Sequence, residues 1–193
     1  MDIFIYFFKH GFFHVLDWNA YDHILFLIVL LVAYTFKDFI KTFYFITLFT
    51  IGNLMTLLLS AYHVINVNNN YIVFLIPLTI LVFAVYNVFT AGKSSKEGKY
   101  NFNLIFALFF GLIHGLGSTN QFERIVGNNN KFISSLEFGL GIEAGQMVVL
   151  AVILFLGFIF QTIFRFSKRD WAMVISSIVI GLVIPMLIAN KVW

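Results

Sequence analysis

The sequence predicts an all-α, polytopic membrane bundle of about six transmembrane helices with a short interfacial helix at the N-terminus. Two observations carry that prediction. Apolar residues make up 61% of the 193 and charged residues only 11%, with a mean hydropathy of +0.93; a soluble domain of this size has more surface than so few charges can cover. Several apolar runs also reach or approach the roughly 20 residues that cross about 30 Å of hydrocarbon. One transmembrane domain over residues 1–193 accounts for the whole length, with no room for a second folded unit.

Taken in order, residues Ile3–Leu16 are aromatic and apolar but short, and 1–18 is expected to form an interfacial or re-entrant helix. The N-terminus lacks a signal-peptide pattern. Asp2 stands where a basic region belongs, and Lys9 and His10 interrupt the apolar run, so the mature chain is expected to keep residues 1–20. The spans are expected at about 21–36, 39–62, 71–91, 102–117, 132–164 and 171–189. All should be helices, because lipid offers no partner to open backbone groups. Pro77 and Pro185 fall inside spans, where neighbouring helices tolerate them. The connections are short: Lys93–Lys99 reads as a flexible polar loop, and Asn68–Asn70 and Gly127–Asn130 as turns. There is no internal repeat. Cysteine is absent, which excludes disulfides and thiolate metal sites.

The basic residues give the expected orientation. Lys37, Lys41, Lys93, Lys96, Lys99, Arg165, Lys168 and Arg169 fall in odd-numbered connections; Lys9, Arg124, Lys131 and Lys191 fall on the other side. Eight against four of the 12 places both termini outside, in the periplasm or its equivalent. The basic balance is thus a topology signal and does not point to nucleic acid.

Ionisable groups inside a bilayer cost several kcal/mol, which makes them functional candidates. Asp22 and His23 open the first expected span, His114 lies in the fourth, and Glu137 and Glu143 lie in the fifth. Asn53 lies in the second, and Gln146 follows Glu143 by three residues. At about 1.5 Å per residue, Asn53, His114 and Glu143 all fall between the midplane and the outer surface, with Asp22 and His23 at the outer face. Imidazoles and carboxylates at one depth suit a divalent ion such as Ni²⁺, Co²⁺ or Zn²⁺. Asp22 and Glu143 would give charge and hard oxygen, His23 and His114 nitrogen, and Gln146 outer support. Each group also has a plain reading. His114 alone can be an interhelical hydrogen-bonding group, and Asp22 can cap its helix. Glu137 reads as solvated near the interface, His10 as interfacial and His63 as a loop end. The Gly-x-Gly pieces follow no strand and read as helix contacts, not as a phosphate loop.

At these residues the sequence resembles the HupE/UreJ family of bacterial membrane proteins, which accompany hydrogenase and urease systems and are regarded as nickel or related metal permeases. The resemblance rests on Gly11-Phe-Phe-His14 and Tyr21-Asp-His-Ile-Leu-Phe26, on Phe110-Gly-Leu-Ile-His-Gly-Leu-Gly117, and on Phe138-Gly-Leu-Gly-Ile-Glu-Ala-Gly-Gln146. It covers nearly the whole chain. It implies His14, Asp22, His23, His114 and Glu143 as metal residues, with Asn53 and Gln146 in support. Four places depart from the family pattern. The gap between His14 and Asp22 is longer, Asn53 stands where a His is expected, Val73 where a Glu often begins the third span, and Ser118 where an aromatic is usual.

The expected function is therefore a metal-cation permease or metal-handling membrane protein, with the ion as substrate or bound ligand and no enzyme activity. The alternatives are a non-transporting structural or accessory subunit of a larger membrane complex and, ranked below it, an intramembrane metal hydrolase with Glu143 as base. The lipid bilayer and a divalent ion are the expected partners.

Overall fold

A computed structural model describes residues 2–18, 21–65, 67–92 and 97–190, with side chains undescribed at 97–101. Among these residues the chain forms seven α-helices and no strand. They are α1 (Ile3–Leu16), α2 (Asp22–Leu31), α3 (Phe39–Ala61), α4 (Asn69–Thr90), α5 (Glu97–Val126), α6 (Lys131–Thr162) and α7 (Lys168–Ala189). Five stretches are long and apolar enough to cross a bilayer: Phe36–Ala61, Asn69–Thr90, Phe102–Val126, Lys131–Thr162 and Lys168–Ala189.

The expected first span differs. Its helix, α2, has 10 residues, which rise about 15 Å, half a hydrocarbon core. The chain leaves α2 through a turn and enters a 3-10 segment at Phe36–Asp38. Thr35 and Asp38 form a capping box there, which starts α3 three residues later. The fourth span is longer than expected, since α5 continues unbroken past residue 117 to Val126. Asn68 and Asn130 are helix caps: Asn68 accepts from the Asn70 amide, and Asn130 from the amides of Phe132 and Ile133. In the loop read as flexible, 93–96 lie outside the described residues, and helix begins at Glu97.

The long helices alternate in direction. Lys131 donates through Nζ to the Ala61 carbonyl at 2.6 Å, and Asn120 Nδ2 donates to Asn69 Oδ1 at 3.3 Å. The end of α3, the start of α4, the end of α5 and the start of α6 therefore share one end of the bundle, the asparagine end. At the opposite, basic end, Trp171 of α7 stacks on Phe160 of α6 at 5.0 Å, and Arg169 lies beside Gly92.

Two glycine seams set the helix spacing. Gly52, Gly111 and Gly115 bring α3 and α5 into backbone contact; a Cβ on Gly111 would strike the Phe49 carbonyl, and one on Gly115 the Asn53 carbonyl. Gly11 of α1 faces Phe138 and Ile142 of α6, Gly141 faces Phe8 and Phe12, and Gly145 faces Phe12 and Val15. Between helices in lipid, where apolar burial gives little net drive, small residues permit such close van der Waals contact.

The second seam places α1. Later residues of α1 meet later residues of α6, so the two run parallel, and Phe7 and Phe122 meet near the asparagine end. The expectation of an interfacial helix is thus modified: α1 descends beside α6, with Phe7, Gly11, His14 and Val15 buried. Helix α2 continues the same way. Phe26 stacks on Phe49 at 4.8 Å, Asn87 near the end of α4 donates to the Val29 carbonyl, and Val32 clusters with Trp171 at the basic end. The helix ends that flank the break, His14 of α1 and His23 of α2, therefore lie part-way along the bundle, with Asp17 and Trp18 exposed.

Candidate metal centre

The break gathers three histidines from three helices. His14 lies in the last turn of α1, His23 is the second residue of α2, and His114 lies within α5. The His14 and His23 rings meet at 4.5 Å between centroids, and His23 and His114 at 5.4 Å, both edge to face. All three are buried, His114 completely.

The hydrogen bonds fix which ring nitrogen is free. His114 Nδ1 donates to the Phe110 carbonyl at 2.9 Å. A carbonyl only accepts, so in a neutral ring Nε2 is left as a bare lone pair. His23 Nδ1 lies 3.2 Å from Asp22 Oδ1, which also accepts the His23 backbone amide at 3.0 Å. The same reasoning frees His23 Nε2. Gln121 of α5 lines the same cavity as His14. The Nε2 atoms of His14, His23 and His114 are all buried with no protein partner. One ring nitrogen tied to carboxylate or carbonyl, with the other left open, is the arrangement metal-ligating histidines use.

The walls are aromatic. Phe26 and Phe49 flank His114 at 5.1 and 5.2 Å, and Phe138 lies 5.7 Å from His14. Phe26 and Phe49 leave the His114 ring fully buried. Among the described residues no group of three or more His, Asp or Glu side chains already stands as a ligand set; the rings must turn from edge-to-face contact to aim their nitrogens at one point. Beside the cluster, a cavity of about 500 Å³ is lined by Lys9, His10, His14, Asp17, Trp18 and Gln121, among others.

Of the residues singled out in the sequence, the structure brings His14, Asp22, His23 and His114 together. Asp22 and His23 do so at the start of α2, across the break from His14. Glu143 stands apart, in the seam between α3 and α6, where its Oε1 accepts from Thr47 Oγ1 at 2.7 Å. Gln146 accepts from Thr50 Oγ1 at 3.0 Å in the same seam. Asn53 is fully buried, one turn from Phe49. Val73 is 37% exposed, among the outward residues of α4. His10 donates to the Tyr6 carbonyl at 2.8 Å on the wall of the cavity, and His63 closes α3 with φ of 57°. Glu137 is half-buried, and its Oε2 is a buried atom without a partner, against the solvated reading. Gln121 was missed: it lies beyond the expected end of the fourth span, and only the continuation of α5 carries it to His14.

A helical bundle with several membrane-length helices and a buried histidine cluster defines a multi-pass membrane protein. A family model described as HupE / UreJ protein matches residues 1–191. The chain belongs to the HupE/UreJ family, which implies a membrane protein of the nickel or metal accessory or permease type. No curated protein and no solved structure matches it.

Proposed function

We propose that this chain is a divalent-metal permease of the bacterial inner membrane and that its cargo is held by His14, His23 and His114 with Asp22 as charge partner. The observation that carries the reading is the set of three buried, unpartnered Nε2 atoms on three different helices. Imidazole ligands favour Ni²⁺, Co²⁺ or Zn²⁺ over Mg²⁺ or Ca²⁺. The α1–α2 pair makes the sixth crossing, broken at the site, as in transporters that bind at interrupted helices. With the basic end in the cytoplasm, both termini are periplasmic, and the cavity beside His14 and Trp18 is the approach from outside. Glu143, farther along, would take the ion or a counter-proton onward.

The test is uptake of Ni²⁺, Co²⁺ and Zn²⁺ into proteoliposomes by the wild type and by His23→Ala, His114→Ala and Glu143→Gln. Uptake should fall at least tenfold in both histidine variants; wild-type uptake in all three would overturn the site. A second reading, a non-transporting accessory subunit, is favoured by Asn53 and Val73 standing at two places where the family pattern has a His and a Glu. A stoichiometric partner after mild solubilisation, without uptake, would establish it.

A further inference from the structure

The α3–α6 seam carries polar groups that the histidine site does not use. Thr47, Thr50 and Asn53 recur every three residues along α3, and Glu143 and Gln146 are three apart on α6, so each set shares a face. Two hydrogen bonds join the faces, Thr47 Oγ1 to Glu143 Oε1 at 2.7 Å and Thr50 Oγ1 to Gln146 Oε1 at 3.0 Å. Asn53 and Gln146 are completely buried. Even so, Asn53 Oδ1, Asn53 Nδ2 and Gln146 Nε2 have no partner. An amide left unsatisfied in hydrocarbon is costly, so Gln146 in the seam and Asn53, one turn along α3 from Thr50, point to something they hold.

The chemistry of that ligand follows from Thr50. Its hydroxyl lies 3.2 Å from the Ile46 carbonyl and 3.0 Å from Gln146 Oε1. One hydroxyl has one proton and serves only one of those acceptors. The oxygen and nitrogen of a glutamine amide are assigned by the hydrogen bonds they make. Turned over, the Gln146 amide donates to Thr50 Oγ1, and Thr50 donates to Ile46, so both bonds are made. The unpartnered Gln146 atom is then the carbonyl oxygen. Asn53 Oδ1 is a second free acceptor, and Glu143 supplies the one carboxylate of the seam. The free acceptors are thus oxygens only, with at most one negative charge, while Asn53 Nδ2 is a donor and takes no part in holding a cation. Transition ions of the histidine site would find no nitrogen here, whereas a small hard monovalent cation matches both the charge and the ligand type.

We propose that Asn53, Gln146 and Glu143, with Thr47 and Thr50 holding them, form a second cation site that takes Na⁺. Only its Asn53 member approaches the histidines, being one turn from Phe49, whose ring lies 5.2 Å from that of His114. Where the permease reading holds, this gives the transport cycle a coupling ion; Na⁺ binding itself does not depend on that reading.

The experiment measures thermal unfolding of the detergent-purified chain in NaCl, KCl or choline chloride at equal ionic strength, with EDTA present to remove transition metals. Na⁺ should raise the midpoint by several degrees in a saturable manner that choline does not reproduce. The increment should vanish in Gln146→Leu and Thr50→Val, persist in Thr50→Ser, and persist in His23→Ala, which separates this site from the metal site. Equilibrium binding of ²²Na⁺ to the wild type, expected at one ion per chain, decides the matter if the variants do not fold. Equal midpoints in all salts, an increment that survives Gln146→Leu and Thr50→Val, or no bound ²²Na⁺ would overturn the proposal and leave buried water as the occupant.

Discussion

Gly52→Ala inserts one methyl group where α3 meets α5. The new Cβ would lie 2.5 Å from the Leu108 carbonyl oxygen, 3.0 Å from the Leu112 amide nitrogen and 3.2 Å from the Gly111 carbonyl carbon. Ordinary contact begins at 3.4 Å, and all three neighbours are backbone, so no side chain can swing aside. Relief requires the helices to part locally by about 0.9 Å, the shortfall at the Leu108 oxygen. Overfilling of this kind costs about 1–3 kcal/mol, or a drop of about 2–10 °C in a chain of this length. The larger effect falls on the site. Gly111 and His114 share α5, and Phe49 and Asn53 share α3, so parting the seam moves His114 relative to the α3 residues around it. Metal geometry tolerates about 0.2 Å; Ni²⁺ affinity should fall by about tenfold or more, the scale on which supporting-residue changes act. The assay is the unfolding midpoint with and without Ni²⁺, together with Ni²⁺ titration. Gly181→Ala is the control, since a Cβ there meets nothing within 4 Å; it should be neutral, or stabilising by up to about 1 kcal/mol. A Gly52→Ala protein with the wild-type midpoint and Ni²⁺ affinity would refute the claim that this backbone contact sets the site.

Two further outcomes follow. Asp22→Asn keeps the shape but removes the charge that orients His23, so Ni²⁺ affinity should fall about 10–100-fold while the midpoint without metal changes little; calorimetric titration of the purified variant reads both. The chain has no cysteine, so Trp18→Cys, at a position 83% exposed on the cavity wall, should react from the periplasmic side of intact cells with a membrane-impermeant maleimide, while Arg165→Cys at the basic end should not.

Much of this architecture was legible because apolar runs report length and little else. The boundaries of α3, α4, α6 and α7 fall within a few residues of expectation, and the Asn clusters marked two helix starts through their caps. The break was harder to read. Ile3–Leu16 and Asp22–Leu31 are each too short to span, and hydropathy alone does not say whether a short apolar helix lies flat or descends. What decides it is Gly11 meeting Phe138 of α6, a contact across more than 120 residues that no local pattern encodes. The closeness of Asp22, His23 and His114 was legible because charge in an apolar run stands out, whereas His14 was singled out by the family resemblance. Glu143 was grouped with them by depth. Depth fixes height but not azimuth, and its side chain turns toward Thr47 of α3 instead.

The break also explains the chemistry at Asp22. A helix N-terminus carries the positive end of its dipole and open amide donors, which suits anions and repels cations. Helix α2 begins part-way along the bundle, and no side chain caps its N-terminal Tyr21 position. A histidine placed there would by itself make a poor cation site. Asp22, in the first turn, reverses the local sign: its carboxylate accepts the His23 amide and the His23 ring together. The C-terminus of α1, which carries the negative end, brings His14 to the same place. The two half-helices thus meet with opposite dipole ends, and two carboxylates, Asp17 at the end of α1 and Asp22 at the start of α2, favour a cation at the junction. A continuous helix would have no such junction. It would place His14 and His23 nine residues apart, about 13 Å along one axis, and beyond reach of a shared ion.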